Sequence, residues 1–169
     1  MQIKDKIQCE DDFLNPIEFA KVHSYCKNAP YYYGEIDDYG RPPTGMVNTI
    51  HETNEIYTIF KQRVEEKINA LKELNLYRMY VNIFAPGEIP YFHQDGLGLT
   101  CLYYANWEWD LQDGGETQLY LDGNIMGLPP IPNRLVVFDG MIQHRATALR
   151  SKHRFTVAIK YGYEEAATE

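Results

Sequence analysis

The order of hydrophobic periodicities predicts an α+β protein, with helices first and an antiparallel β-sandwich or barrel after them. Between about Thr53 and Leu74, the residues Ile56, Phe60, Val64, Ile68 and Leu71 recur at helical spacing, with Lys, Arg and Glu around the other faces. Beyond Leu76 the period drops to two. The runs YRMYVNIF, TCLYYANW, TQLYLDG, RLVVFDG and RFTVAIKYGY are rich in β-branched and aromatic residues and are separated by Gly, Pro, Asn and Asp. Helices followed by many short strands argue for segregated layers, and a jelly roll, whose two sheets leave space for a buried metal, is one such arrangement.

From the N-terminus, MQIKDKIQCEDD lacks the apolar core of a signal peptide, and no run approaches the length of a membrane span. The segment NPIEFAKVHSYCKNAP carries Ile17, Ala20, Val22 and Tyr25 at loosely helical spacing and stops at Pro30, which predicts a short amphipathic helix. Residues 31 to 48, YYYGEIDDYGRPPTGMVN, have no clear period and read as an irregular loop or a loosely paired hairpin, a length of loop that often carries function. The helical stripe and the strands follow.

The chain has 169 residues, 44% of them hydrophobic, enough for one core of ordinary size and short for two domains. The expectation is one domain over 1–169, with helical support at about 12–75 and a β core at about 76–163. Sixteen Lys and Arg against 24 Asp and Glu give a net charge of -8, which disfavours nucleic acid as partner. Cys9, Cys26 and Cys101 are odd in number and match no CxxC spacing, so a disulfide framework is not expected and a reducing cytoplasm fits best.

The chemistry begins at YFHQDG. His93 and Asp95 are two apart, so in extended backbone both side chains point the same way and can grip one ion. A third donor must come from elsewhere, and FDGMIQHRATALRSKHRFTVAIKY offers His144 on a turn or strand start. Two histidines and one carboxylate on one face of Fe(II) leave coordination positions open for a bidentate co-substrate and dioxygen. Ten residues past His144 lies Arg154, with Thr156 two further on, both able to project inward from the last strand. An arginine fork there suits a carboxylate. His23 and His51 lack partners at ligand spacing, and His153 should face away from Arg154 across its strand. Trp107 and Trp109 are expected to pack, and Cys101 to act as a small apolar residue.

From about Leu76 to Tyr163 the motifs FHQD, TCLYYANWEWD, DGGET, RLVVFDG, QH and HRFTVAIKY resemble the Fe(II)- and 2-oxoglutarate-dependent dioxygenases of the prolyl 4-hydroxylase-like branch, and TCLYYAN is similar to the hypoxia-sensing prolyl hydroxylases. The resemblance implies a double-stranded β-helix (jelly-roll) core with N-terminal helices packed against it. It implies that His93, Asp95 and His144 ligate iron, that Arg154, with Thr156 beside it, anchors the far carboxylate of 2-oxoglutarate, and that Tyr104 donates its hydroxyl to that carboxylate. Dioxygen is then the second co-substrate and ascorbate a candidate reductant. The implied reaction hydroxylates an unactivated C–H bond, with a prolyl residue of a peptide or protein as leading substrate. Residues 31 to 48 become a candidate lid over the substrate.

The chain departs from that pattern in two places. NIFAPG puts Phe84 where relatives often carry a co-substrate-binding tyrosine, leaving Asn82 or Tyr80 as replacements, and Lys160 stands where the hypoxia-sensing enzymes have a tryptophan. The competing readings are a hydroxylase of a small-molecule metabolite, and a non-catalytic jelly-roll binding module that retains the metal residues. No membrane partner is expected, and the sequence is silent on oligomeric state.

Overall fold

Strands with alternating polarity need a second layer to cover their apolar faces, and here two sheets provide it for each other. The computed structural model describes residues 7–37 and 40–163. Its elements are β1 (Ile7–Glu10), α1 (Pro16–Asn28), β2 (Tyr32–Tyr33), β3 (Met46–Thr49), α2 (Glu55–Lys67), β4 (Asn75–Phe84), β5 (Leu99–Tyr104), β6 (Thr117–Leu121), β7 (Asn124–Leu128), β8 (Leu135–Asp139), β9 (His144–Ala146) and β10 (Arg154–Gly162). Short 3-10 turns at Asn69–Leu71 and Leu111–Asp113 complete them. The major sheet runs β1-β8-β5-β10-β4-β3-β2 and the minor sheet β7-β6-β9, and every strand pairing is antiparallel. This is a β-sandwich of jelly-roll type with two helices. Among the described residues no helix is long and apolar enough to cross a membrane.

The central strands of the major sheet have two buried faces. Tyr80, Leu102, Tyr104, Val136, Phe138 and Ala158 meet Leu119 and Leu121 of the minor sheet, forming the inside of the sandwich. On the other face Met79, Val81, Cys101, Tyr103, Val157 and Ile159 share a cluster with Val22 and Cys26 of α1 and Ile56, Phe60 and Val64 of α2. Phe60 meets the Tyr103 ring edge to face at 5.0 Å. Burial on both faces explains why β8 reads as a nearly continuous apolar run.

The helices differ in detail from the periodic reading. Asn15 caps α1 by accepting from the Ile17 and Glu18 amides, with Pro16 opening the helix. Its buried face is Val22 and Cys26 with Phe19 and Tyr25 beside them, whereas Ile17 is exposed. The stripe of α2 is buried throughout, but the helix ends at Lys67. There Ile68 leaves helical geometry while its amide still closes the last turn on Val64, and the 3-10 turn then carries Leu71 inward. A tighter turn thus continues the stripe beyond the helix.

Four stretches of sheet carry no clean alternation in the sequence. β1 pairs with β8, β7 pairs with β6, β9 is three residues long, and β2 with β3 makes a short hairpin out of residues 31 to 48. The 12–75 region is therefore not helical support alone, because β3 pairs with β4 in the major sheet.

Candidate metal centre

His93 and His144 sit opposite each other in an isolated antiparallel bridge. The amide of His93 donates to the His144 carbonyl at 3.0 Å and the amide of His144 to the His93 carbonyl at 2.9 Å. Opposed residues in such a bridge put their side chains on one face, and the rings stand 4.4 Å apart. Asp95 is pinned by its amide to the Gly140 carbonyl at 2.8 Å, and the Gly140 amide donates to Gly98 at 2.9 Å. The approach is tight enough that a Cβ on Gly140 would lie 2.5 Å from the Gly96 carbonyl.

The donor atoms of His93, Asp95 and His144 lie within 4.8 Å of one another. Nδ1 of His93 faces the Tyr91 carbonyl at 3.1 Å and Nδ1 of His144 the Ile142 carbonyl at 2.8 Å. Carbonyls only accept, so both Nδ1 atoms carry hydrogen and both Nε2 atoms turn toward Asp95. His93 Nε2 is 3.7 Å from Asp95 Oδ1, and His144 Nε2 is 3.2 Å from Asp95 Oδ2. Burial, then the nearby His144, lowers the His93 pKa and favours its neutral ring. Burial works to raise that of Asp95, but the neighbouring His144 and the Lys160 ammonium outweigh it and hold the carboxyl well below the usual carboxylate range. A neutral imidazole lone pair and an ionised carboxylate converging at these distances are the donor set that a divalent cation takes, so the residues fit iron.

The inward row of β10 builds the rest of the cavity. Arg154, Thr156, Ala158 and Lys160 alternate along the strand, and His153 is exposed on the opposite side. Arg154, 1% exposed, donates from Nε to the Gly115 carbonyl at 2.9 Å, from Nη1 to Thr156 Oγ1 at 2.9 Å and from Nη2 to Thr117 Oγ1 at 2.8 Å. All three acceptors are neutral, and no carboxylate among the described residues forms an ion pair with it. Burial accordingly lowers its pKa. Each Nη keeps a second N–H for an incoming anion. A cavity joins Arg154, Thr156, Thr117 and Lys160 to His93 and His144. A larger surface cleft, lined by Phe13, Phe19, Arg63 and Trp107, holds no such donor cluster, and its Arg63 is already bonded to Glu18 and Glu66.

Tyr104 is buried, and its hydroxyl donates to Thr117 Oγ1 at 2.8 Å rather than into the cavity. Thr117 Oγ1 accepts from both Tyr104 and Arg154, so its own hydrogen is left to donate. Thr117 is the first β6 residue inside the sandwich, two positions before Leu119, and it lines the cavity with Arg154. Tyr80, Asn82 and Phe84 all line the cavity, as do Glu35 and Asp37 from the loop between β2 and β3. His23 is structural, its Nδ1 facing the Ala105 carbonyl at 2.8 Å. Trp107 is not a core residue: it is 56% exposed and stacks on Phe19 at 5.0 Å, while Trp109 donates to the Gly114 carbonyl.

No family model matches the sequence, and no curated protein matches it. Solved structures do. A prolyl-4-hydroxylase from Pseudomonas putida superposes with a TM-score of 0.74 at 15% identity, over 95% of this chain and 94% of that one. The fold is that of the 2-oxoglutarate- and iron-dependent oxygenases. A prolyl hydroxylase from Trichoplax adhaerens, in complex with a hypoxia inducible factor peptide fragment, gives a TM-score of 0.78 at 19% identity over 94% and 84% of the two chains. HygX from Streptomyces hygroscopicus, with nickel and 2-oxoglutarate bound, gives 0.72 at 10% identity over 94% and 83%. At such identities the likeness is one of fold, and the chain's own residues carry the chemical reading.

Proposed function

We propose that this protein is an Fe(II)- and 2-oxoglutarate-dependent dioxygenase, acting as a single catalytic domain with its helices packed on the major sheet, and that it hydroxylates an unactivated C–H bond. The convergence of His93, Asp95 and His144 beside a buried arginine that lacks a carboxylate partner carries this reading. Iron held by His93, Asp95 and His144 would supply dioxygen activation, with two of the four electrons coming from 2-oxoglutarate on its conversion to succinate and carbon dioxide and two from the substrate C–H bond.

The chain's own contribution is orientation and electrostatics. The Tyr91 and Ile142 carbonyls fix which nitrogen each histidine offers. Arg154 binds the far carboxylate of 2-oxoglutarate, with the Thr117 and Thr156 hydroxyls holding the guanidinium plane. Burying that carboxylate also neutralises a charge that the fold otherwise leaves unpaired in a low-dielectric interior. Phe84 closes the cavity wall where it has no hydroxyl to give, and Asn82 and Tyr80 supply polar groups beside it.

The leading substrate is a prolyl residue of a peptide or protein, supported by the structural likeness to prolyl hydroxylases, one of them bound to a peptide. A small-molecule metabolite is the second reading. It is favoured by Glu35 and Asp37, which bring the β2–β3 loop over the cavity and narrow the approach. The described cysteines are unpaired, which supports work in a reducing cytoplasm. Succinate release that requires iron, 2-oxoglutarate and oxygen, and is absent from His144→Ala, tests the enzyme reading; an equal signal from wild type and variant rejects it. A screen of proline-containing peptides and free metabolites for a gain of one oxygen by mass then separates the two substrate classes.

A further inference from the structure

Lys160 belongs to none of the roles above, yet it is 4% exposed and its ammonium touches the metal donor set. Its Cα is the direct cross-strand partner of Thr100, so the two side chains leave neighbouring strands on the same face. Both reach one oxygen: Lys160 Nζ donates to Asp95 Oδ2, and Thr100 Oγ1 donates to the same Oδ2 at 2.5 Å. Lys160 Nζ also lies 3.4 Å from Thr100 Oγ1, closing a three-membered network. Among the described residues no hydrogen bond reaches Oδ1, the oxygen on the His93 side.

We propose that Lys160 is a positioning residue that, with Thr100, occupies Asp95 Oδ2, so that the carboxylate meets the metal through a single oxygen and under a standing positive charge. The inference rests on His93, Asp95 and His144 being the metal site. Two donors on Oδ2 use the lone pairs that a bidentate carboxylate would need, which keeps a coordination position open for the keto-acid end of the co-substrate. The cation in contact with Asp95 also competes with the metal for the carboxylate. The site therefore holds a divalent ion less tightly than the same three donors would alone, and the neutralised Asp95 is stable in the fold before metal arrives.

The experiment is an equilibrium titration of the apoprotein with Mn(II) in the absence of oxygen, on wild type, Lys160→Met, Lys160→Arg and Thr100→Val. Lys160→Met, similar in length but uncharged, is expected to bind Mn(II) at least about tenfold tighter, the sign following from removing one positive charge beside the ion. Its apoprotein should melt at lower temperature than wild-type apoprotein and gain more on metal addition, since Asp95 loses its partner. Lys160→Arg should retain wild-type affinity, and Thr100→Val, which removes a donor but no charge, should not tighten binding. Lys160→Met with unchanged or weaker affinity overturns the proposal while leaving the metal site standing. No uptake by wild type would instead remove the metal site itself. Should Lys160→Met fail to fold, Lys160→Gln replaces it under the same criteria.

Discussion

Arg154→Met separates what the fold asks of this residue from what a ligand asks of it. In the protein without co-substrate the guanidinium makes three hydrogen bonds to neutral oxygens, those of Gly115, Thr156 and Thr117. Such bonds to a charged group contribute about 1.5–3 kcal/mol each. Against them stands the desolvation of a fully buried cation with no carboxylate partner, a cost of several kcal/mol per ion. The two oppose each other, so methionine, which fills similar volume without the charge, should leave a ligand-free protein that still folds. Binding is different. Truncating one partner of a buried, hydrogen-bonded charge pair costs about 2–5 kcal/mol, which is roughly 30- to several-thousand-fold in 2-oxoglutarate affinity. Calorimetric titration of 2-oxoglutarate into the Mn(II)-loaded protein reads that loss, and chemical denaturation of the apoprotein reads the stability. Arg154→Lys should fall between, because a point charge replaces a fork. A folded, metal-loaded Arg154→Met that binds 2-oxoglutarate within about threefold of wild type, less than the loss of even one such contact, would refute the reasoning.

Further expectations follow from local geometry. Gly98 has φ +131, and a Cβ there would lie 1.9 Å from the Tyr161 carbonyl, so Gly98→Ala should lower the melting temperature by at least about 5 °C, measured by calorimetry. Burial pushes the Cys26 and Cys101 thiols up to about 12, whereas Cys9 is exposed, so a thiol reagent at pH 8 should label Cys9 in the native protein and the other two only after unfolding. Replacing residues 34–43 with a short Gly-Ser connection removes Glu35 and Asp37 from the cavity wall; succinate assays should show reduced turnover while Mn(II) uptake stays at the wild-type level, and equal loss of both would reject a lid role for this loop.

Much of this architecture is legible in the sequence where one periodicity dominates. The runs that become β4, β5, β6, β8 and β10 alternate or are continuously apolar, and the stripe from Ile56 to Leu71 marks one buried face even where α2 gives way to a 3-10 turn. The elements without a pattern of their own escape it. β1, β7 and β9 are edge or short strands whose existence depends on a partner distant in the chain, and β3 is drawn into the sheet by β4. In α1 the apolar spacing includes Ile17, but Val22 and Cys26 are the buried residues, with Phe19 partly buried beside them, because tertiary contact and not composition decides which of two weak stripes is covered.

The candidate site shows the same division. His93 and Asp95 share a local spacing, and Arg154 and Lys160 share the inward row of β10, so these can be read off strand alternation. Cross-strand contacts cannot. That Thr100 and Lys160 meet on one carboxylate oxygen follows from the register of β5 against β10, and that Thr117 meets both Tyr104 and Arg154 follows from how the minor sheet sits over the major one. Neither register is written in a single strand.

The claim on which the rest stands is that His93, Asp95 and His144 together bind one divalent metal ion. An anaerobic titration of the apoprotein with Mn(II), following free ion by electron paramagnetic resonance, tests it without requiring any substrate. Saturable uptake of one ion per chain by wild type, lost in His93→Ala and in His144→Ala while both variants remain folded, is the predicted result. No saturable uptake, or uptake that survives removal of either imidazole undiminished, would contradict it.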